Sequence, residues 1–287
     1  MSARGLSKIQ KPQGASDALR SLFLHFGFSA AMMGLLEGVS PGFVFVDDLA
    51  QPRTGIASTA EGVYLVGDDQ DPEARDAVRI TFAHELLNGR SLVKNSTAIY
   101  LSVSPEAWAV HLGLLAPRQE IHPTRRHHYL CTSRPSDWRP YVPKGYCVRA
   151  LDRELLERCD VHDLLAHQLP IGRLWGSVDR LLDQAVGFAA LKNGQIVSWC
   201  TPDCIGGGRI DFACTTLPDH RRKGLASSVT AASVEAALGR GFAAAGWMCA
   251  ASNTASWKTA ERVGFVRQSS FNEYFFRANP KRQSASR

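Results

Sequence analysis

The run Pro218-Asp219-His220-Arg221-Arg222-Lys223-Gly224-Leu225-Ala226 places three consecutive cations and two small residues where a strand pattern gives way to a helix pattern. Amides at a helix start have no partner inside the helix, and the positive end of the helix dipole lies there. Phosphate oxygens are drawn to such a place. Gly224 and Ala226 leave the backbone open to close approach, and Arg221, Arg222 and Lys223 add charge beside it. As a bare helix start the run is unfavourable, because each cation at that end costs about 0.3–1 kcal/mol. A bound anion relieves that cost. The spacing is not the GxxxxGK[ST] of a Walker loop. The chemistry it suits is a grip on a diphosphate.

The elements around this run are legible. Residues 185–191 read as a strand, Lys192-Asn193-Gly194 as a hairpin turn and 195–201 as the return strand. Asn-Gly supplies the positive φ angles that a two-residue turn needs. A second turn at 206–208 feeds a strand over 209–216. A helix follows over 224–239, with Leu225, Val229, Ala232 and Ala236 at helical spacing. Next come a strand over 246–251, a helix over 254–263 and two short strands over 265–268 and 273–277. Asn253 suits the N-cap of the later helix, and Gly264 suits its left-handed end.

The front half has its own strand-and-helix pattern. Residues 42–48 (GFVFVDD) predict a strand and 62–67 (GVYLVG) its neighbour, with a helix over 71–87, a strand over 98–102 and a helix over 104–115. The apolar stretch 21–36 is short for a membrane span, interrupted by His25, Gly27 and Gly34, and without a small-x-small cleavage site. It reads as a buried helix leading into the first strand. Strands with interposed helices give an α/β (α+β) class in two lobes. The expected division is 1–140 for an accessory lobe, 141–278 for a catalytic lobe with helices around 152–167, and 279–287 for a basic tail. The first dozen residues and the tail are expected to be mobile.

Composition narrows the function. The chain has 287 residues, 45% hydrophobic and 21% charged, as in ordinary globular proteins. A net charge of +6 favours an anionic partner. The cations are scattered and no nucleic-acid motif accompanies them, so a polyphosphate cofactor is favoured over DNA or RNA. Seven cysteines without a CxxC pair read as reduced, in a cytoplasmic protein without metal. Cys214 within a strand reads as an apolar filler, and His122, His127 and His128 as a solvated basic loop.

Arg221-x-x-Gly224-x-Ala226, followed by Asn253-Thr254-Ala255-Ser256 and Val263-Gly264-Phe265, resembles the acetyl-CoA signature of the GNAT acetyltransferase superfamily. The segments GFVFVDD, Gln51-Pro52 and GVYLVG, with Gly246-Trp247-Met248-Cys249, are similar to its longer, two-lobed bacterial type, which includes the zwittermicin A self-resistance acetyltransferase. The resemblance implies a GNAT fold in the second lobe, a mixed sheet flanked by helices, with a degenerate GNAT-like lobe before it. It implies acetyl-CoA as co-substrate, no metal, and Cys214, Thr215, Thr216, Arg221, Arg222, Lys223, Gly224, Leu225, Ala226 and Asn253 as cofactor-binding residues. The strands 209–216 and 246–251 would splay at a bulge, the pantetheine arm filling the gap as an added strand does.

The acceptor amine must lose a proton, and the resemblance places an acidic residue at Asp211, with Glu273 as the alternative base. The superfamily's proton-donating tyrosine, seven residues after Asn253, is Ala260 here. Ser256, Tyr274 or water is then the donor. The implied acceptor is a small-molecule amine, an antibiotic or polyamine-like compound among the candidates, with Asp47 and Asp48 available to attract a cation. The chain would act as a monomer or homodimer, away from membranes. Transfer to a protein or peptide amine and a non-catalytic acyl-CoA sensor are the alternatives.

Overall fold

The computed structural model describes residues 5–9, 15–90, 98–158 and 174–277. The expected tail, and the helical reading beyond residue 158, lie outside the described residues. Two compact units emerge, Met1–Arg125 with Phe271–Arg287, and Arg126–Ser270.

Elements in chain order are β1 (Ser7–Ile9), α1 (Asp17–Leu22), α2 (Ala30–Glu37), β2 (Gly42–Val46), β3 (Gly55–Thr59), β4 (Val63–Val66) and α3 (Pro72–Thr81). After α3 come a π-helical extension (Phe82–Arg90), β5 (Ala98–Ser104), a 3-10 segment (Glu106–His111), α4 (Leu112–Leu115) and β6 (Pro123–Cys131). Then follow β7 (Cys147–Ala150), α5 (Arg153–Leu156), α6 (Val178–Gln184), β8 (Phe188–Lys192), β9 (Gln195–Gly206) and β10 (Arg209–Thr216). Last are α7 (Leu225–Gly239), β11 (Ala244–Ala250), α8 (Thr254–Val263) and β12 (Val266–Arg277).

In the first unit the strands run β1-β2-β3-β4-β5, antiparallel except for β4 and β5, with the end of β12 antiparallel to β5. Successive strand residues alternate between two cores. Phe45, Ile56, Val63 and Leu65 meet Val78, Phe82, Trp108 and Leu112, while Val44, Val46, Ala57 and Tyr64 meet Leu19, Phe23, Met32 and Leu35. The sheet is thus covered on both faces. Strand β3, which the sequence pattern did not give, lies between β2 and β4, so the two expected neighbours are separated. Its residues GIAST carry little alternation because every one is buried.

Two further expectations are corrected here. The stretch 21–36 is broken rather than continuous: a 3-10 turn ends at Gly27, and the Ser29 hydroxyl accepts the Met32 amide at 3.1 Å to start α2 afresh. Within the first dozen residues, Ser7–Ile9 are held as a strand against Val44–Val46. Asp47 and Asp48 lie exposed in the β2–β3 turn, each using Oδ1 to fix it. Asp47 Oδ1 accepts the Arg53 and Thr54 amides, and Asp48 Oδ1 those of Ala50 and Gln51. The latter two bonds hold Asp48 below the usual carboxylate range.

The second unit repeats the plan. Strands β7-β8-β9-β10 are antiparallel, α7 crosses over, β11 pairs parallel to β10, and β6 pairs antiparallel to β11. The hairpin at Asn193 and Gly194 has φ of 50° and 80°, as the sequence demands. Gly207 and Gly208, at 60° and 70°, make the next turn. Helix α7 buries Ser228, Val229, Ala232, Ser233 and Ala237, small enough for close approach to the sheet. The unit break at 125/126 differs from the expected 140/141 because β6 pairs with β11. The two short strands at the C-terminus are one, β12, whose residues from Phe271 onward belong to the first unit.

The histidine reading is also corrected. His127 and His128 lie in β6, opposite Cys249 and Met248, and His128 is 2% exposed. Burial, with the nearby Arg209 charge, pushes its pKa down to about 4.

The 132–143 connection is tied to α7 through Glu235. Trp138 Nε1 donates to its Oε2 at 2.9 Å, Arg139 to the same oxygen at 3.3 Å, and Arg134 Nε to Oε1 at 3.0 Å. The Arg134 and Trp138 bonds lower the Glu235 pKa. A carboxylate with a depressed folded pKa stabilises fully above its unfolded value and loses that contribution as pH falls through the folded one. Glu235→Gln should therefore flatten the acid limb of a pH–stability curve below about pH 4.5, measured by urea unfolding, by less than about 1 kcal/mol for exposed arginines.

Candidate active site

Strands β10 and β11 pair over only three positions, Arg209 with Ala244, Ile210 with Ala245 and Asp211 with Gly246. At that point the register of β10 against β9 shifts, between Asp211 and Phe212. Beyond it Phe212–Thr216 stay with β9, and Trp247–Ala250 stay with β6. The facing edges share no ladder pair among the described residues. A bulge on one strand is the physical cause of such a splay, and the gap it opens exposes strand edges able to receive an extended ligand.

Asp211 sits at the apex, 3% exposed. A side chain on Gly246 would fall on its carboxylate, so glycine there makes the space that the acid occupies. Gly246 and Trp247 point to opposite faces of the sheet. Trp247 Nε1 donates to Ser256 Oγ at 3.0 Å. Asp211 and Ser256 therefore flank the sheet from opposite faces.

Beyond the gap the strand runs into the cradle. Thr216 Oγ1 lies 2.7 Å from Ser198 Oγ, and the Ser198 hydroxyl donates to the Thr215 carbonyl at 3.1 Å. The Arg221 guanidinium folds back on the Thr216 carbonyl at 3.0 Å. Arg222 and Gly224 have φ of 58° and 82°. Left-handed residues of this kind turn successive amides towards one side, the geometry of an anion nest. Helix α7 has no side-chain cap, and Ser228 makes its first backbone bond, to the Gly224 carbonyl at 3.1 Å. Among the described residues, the amides of 224–227 donate to no oxygen of the chain. The nearest atom to a Cβ at Gly224 would be the Tyr141 carbonyl at 3.8 Å. Glycine is thus required by its φ rather than by crowding.

The topologically matching junction of the first unit, β4 into α3, is filled by its own acids. Asp71 accepts the Glu73 amide at 2.9 Å and Asp68 the Gln70 amide at 2.8 Å. Among the described residues, a side-chain cap closes this start, whereas the start of α7 has none.

The remaining expected residues are placed as follows. Asn253 caps α8, accepting the Ser256 amide at 3.2 Å. Ala260 is fully buried, which leaves no donor at that helix position. Cys214 lies opposite Cys200, and burial pushes its thiol up to about 12, a protonated and inert form. Tyr274 and Glu273 belong to the first unit, where the Tyr274 hydroxyl donates to Glu106, and burial together with that bond pushes its pKa up to about 12. Sequence reading missed Tyr146, Lys192 and His220. The Tyr146 hydroxyl is 3.0 Å from His220 Nδ1 and accepts from Lys223 Nζ at 3.4 Å, and Lys192 Nζ lies 5.2 Å from its ring centre. No motif marks residues drawn together from separate segments.

Comparison with known proteins agrees with this geometry. The GNAT acetyltransferase family model matches residues 20–274. The uncharacterized N-acetyltransferase YdfB of Bacillus subtilis (strain 168) is 24% identical over 263 residues, 90% of this chain and 95% of that one. Among solved structures, a GCN5-related N-acetyltransferase-like protein from Streptococcus suis 89/1591 is similar with a TM-score of 0.61 and 22% identity, over 83% of this chain and 89% of that one. A tandem GNAT protein from the clavulanic acid biosynthesis pathway is similar with a TM-score of 0.54 and 13% identity, over 84% of both chains. The chain belongs to the GNAT acetyltransferase family and is a GNAT-type N-acetyltransferase.

Because Gly224 is needed for its left-handed backbone, Gly224→Val should abolish stabilisation by CoA in a thermal-shift assay. Gly224→Asn, a residue that tolerates positive φ, should retain part of it. Equal stabilisation of wild type and Gly224→Val would show that the nest is not used.

Proposed function

We propose that this enzyme moves an acetyl group from acetyl-CoA to the amine of a small molecule by direct transfer in a ternary complex. The open amides of 224–227, beside three cations and at the end of a splayed strand pair, carry this reading. They fit a diphosphate, and the gap fits an extended arm. Leu225 and Ala226 contribute amides, Arg221, Arg222 and Lys223 contribute charge, and Asn253 fixes the start of α8 on the far side of the gap. The repeated topology of the two units supports placing the chain with the two-lobed type that includes the zwittermicin A self-resistance acetyltransferase.

When bound, acetyl-CoA supplies the activated thioester. Asp211 is the base: a carboxylate at the apex of the gap, facing away from α8, takes the proton of the incoming ammonium. The amides of Cys214 and Thr216, which alternate to the unpaired edge of β10 while that of Thr215 faces β9, hold the carbonyl oxygen. Ser256, whose oxygen accepts from Trp247 and whose hydroxyl also meets the Cys249 thiol, turns its hydrogen to the departing thiolate. Cys214 takes no covalent part. The cysteines among the described residues are all free, which agrees with a reducing cytoplasm. No described helix is long and apolar enough to cross a membrane.

Thiol release from acetyl-CoA, followed over a panel of diamines, aminoglycosides and amino acids, tests the reaction. Stabilisation by CoA with no release for any amine would favour the sensor alternative, for which Ala260 speaks. With an accepted amine, Asp211→Asn should lower kcat by about 10²–10⁴ and leave KM for acetyl-CoA within about threefold. An unchanged kcat removes Asp211 from the chemistry.

A further inference from the structure

Beside the three cations that open α7, Lys192 adds a fourth from a separate element. Arg134, Arg139, Arg149 and Arg153 of the second unit are each paired with a carboxylate. Lys192, Arg221, Arg222 and Lys223 have no carboxylate at ion-pair distance among the described residues. Two of these, Lys192 and Lys223, converge on one ring. Lys223 Nζ is held by the Asp219 carbonyl at 2.8 Å and the Tyr146 hydroxyl at 3.4 Å, while Lys192 Nζ stands 5.2 Å from the Tyr146 ring centre. His220 meets the same ring edge-on, with centroids 5.8 Å apart, and its Nδ1 lies 3.0 Å from the hydroxyl. The ligands of this cluster come from separate places: the β8–β9 hairpin, the turn before α7, and the segment before β7.

The sheet register explains the meeting. Thr216 pairs with Ser198 and Ser198 with Ala190, so the end of β10 lies level with the β8–β9 turn. Cys147 pairs with Leu191, which brings Tyr146 beside Lys192. Like charges gathered on an aromatic ring without a counter-ion are unfavourable, and a dianion between them removes the repulsion.

Resting on the acetyl-CoA reading above, we propose that Lys192 and Lys223, positioned by Tyr146, form the subsite for the 3′-phosphate of CoA. The enzyme then draws its acyl group from free, 3′-phosphorylated CoA rather than from phosphopantetheine attached to a carrier protein. A phosphate monoester carries nearly two charges at neutral pH, against about one for each phosphate of the diphosphate. It is therefore the part of the cofactor most sensitive to a pair of ammonium groups. A carrier-bound arm has no such group.

Isothermal titration needs no acceptor and separates the outcomes. Wild type should bind CoA about tenfold more tightly than 3′-dephospho-CoA, from two exposed charge pairs. Lys192→Gln should shrink that ratio to about threefold, and Lys192→Gln with Lys223→Gln should bring it close to one. Any effect of Lys223 on the diphosphate acts on both ligands equally and drops out of the ratio. Equal binding of the two by wild type, an undiminished ratio in Lys192→Gln, or equally tight binding of an acetylated carrier protein overturns the subsite. Failure of both nucleotides to bind overturns the acetyl-CoA reading itself.

Discussion

At the beginning of α7 the backbone amides of 224–227 meet no oxygen among the described residues, and two left-handed residues, Arg222 and Gly224, hold them in a concave turn. The turn exists because the neighbouring groups are tied elsewhere. Arg221 is folded onto the Thr216 carbonyl, and the 218–220 segment is closed on itself by the His220 amide to the Leu217 carbonyl at 2.9 Å. An acidic cap, the ordinary solution at a helix start, is what the first unit uses at Asp71. Its absence at α7, with cations in its place, supports the proposed binding role of that end.

The sheet of the second unit serves that turn. Long antiparallel pairing of β9 with β10 fixes the strand that leads into it, and the register shift after Asp211 releases the same strand from β11. One bulge thus creates the gap and orients the residues beyond it. The Asp211–Gly246 pair shows how tightly this apex is built, since the acid occupies the volume that any side chain at 246 would take. Small residues along α7 let the helix settle on the sheet closely enough for its first turn to overhang the strand ends.

Much of this was legible in the residues. The strand 209–216 and the helix 254–263 match the observed bounds, because Gly207-Gly208, Asn253 and Gly264 punctuate them with defined backbone needs. The helix start at Gly224 was readable from three cations beside small residues. What failed depended on pairing across long separations. β3 lacked alternation because it is buried on both faces, and the split of β12 between units reflects its partners rather than its own composition. Likewise Lys192 and Tyr146 lie 46 residues apart in sequence and meet only through strand register. His128 was misread because charge around a histidine says nothing about which face of a strand it takes.

The central claim concerns four amides, and amide resonances report on them directly. In ¹H–¹⁵N spectra, titration with CoA should shift the signals of Gly224, Leu225, Ala226 and Ser227, while pantetheine, which lacks the diphosphate, should leave them in place. Binding of CoA with those four resonances unmoved would contradict the account.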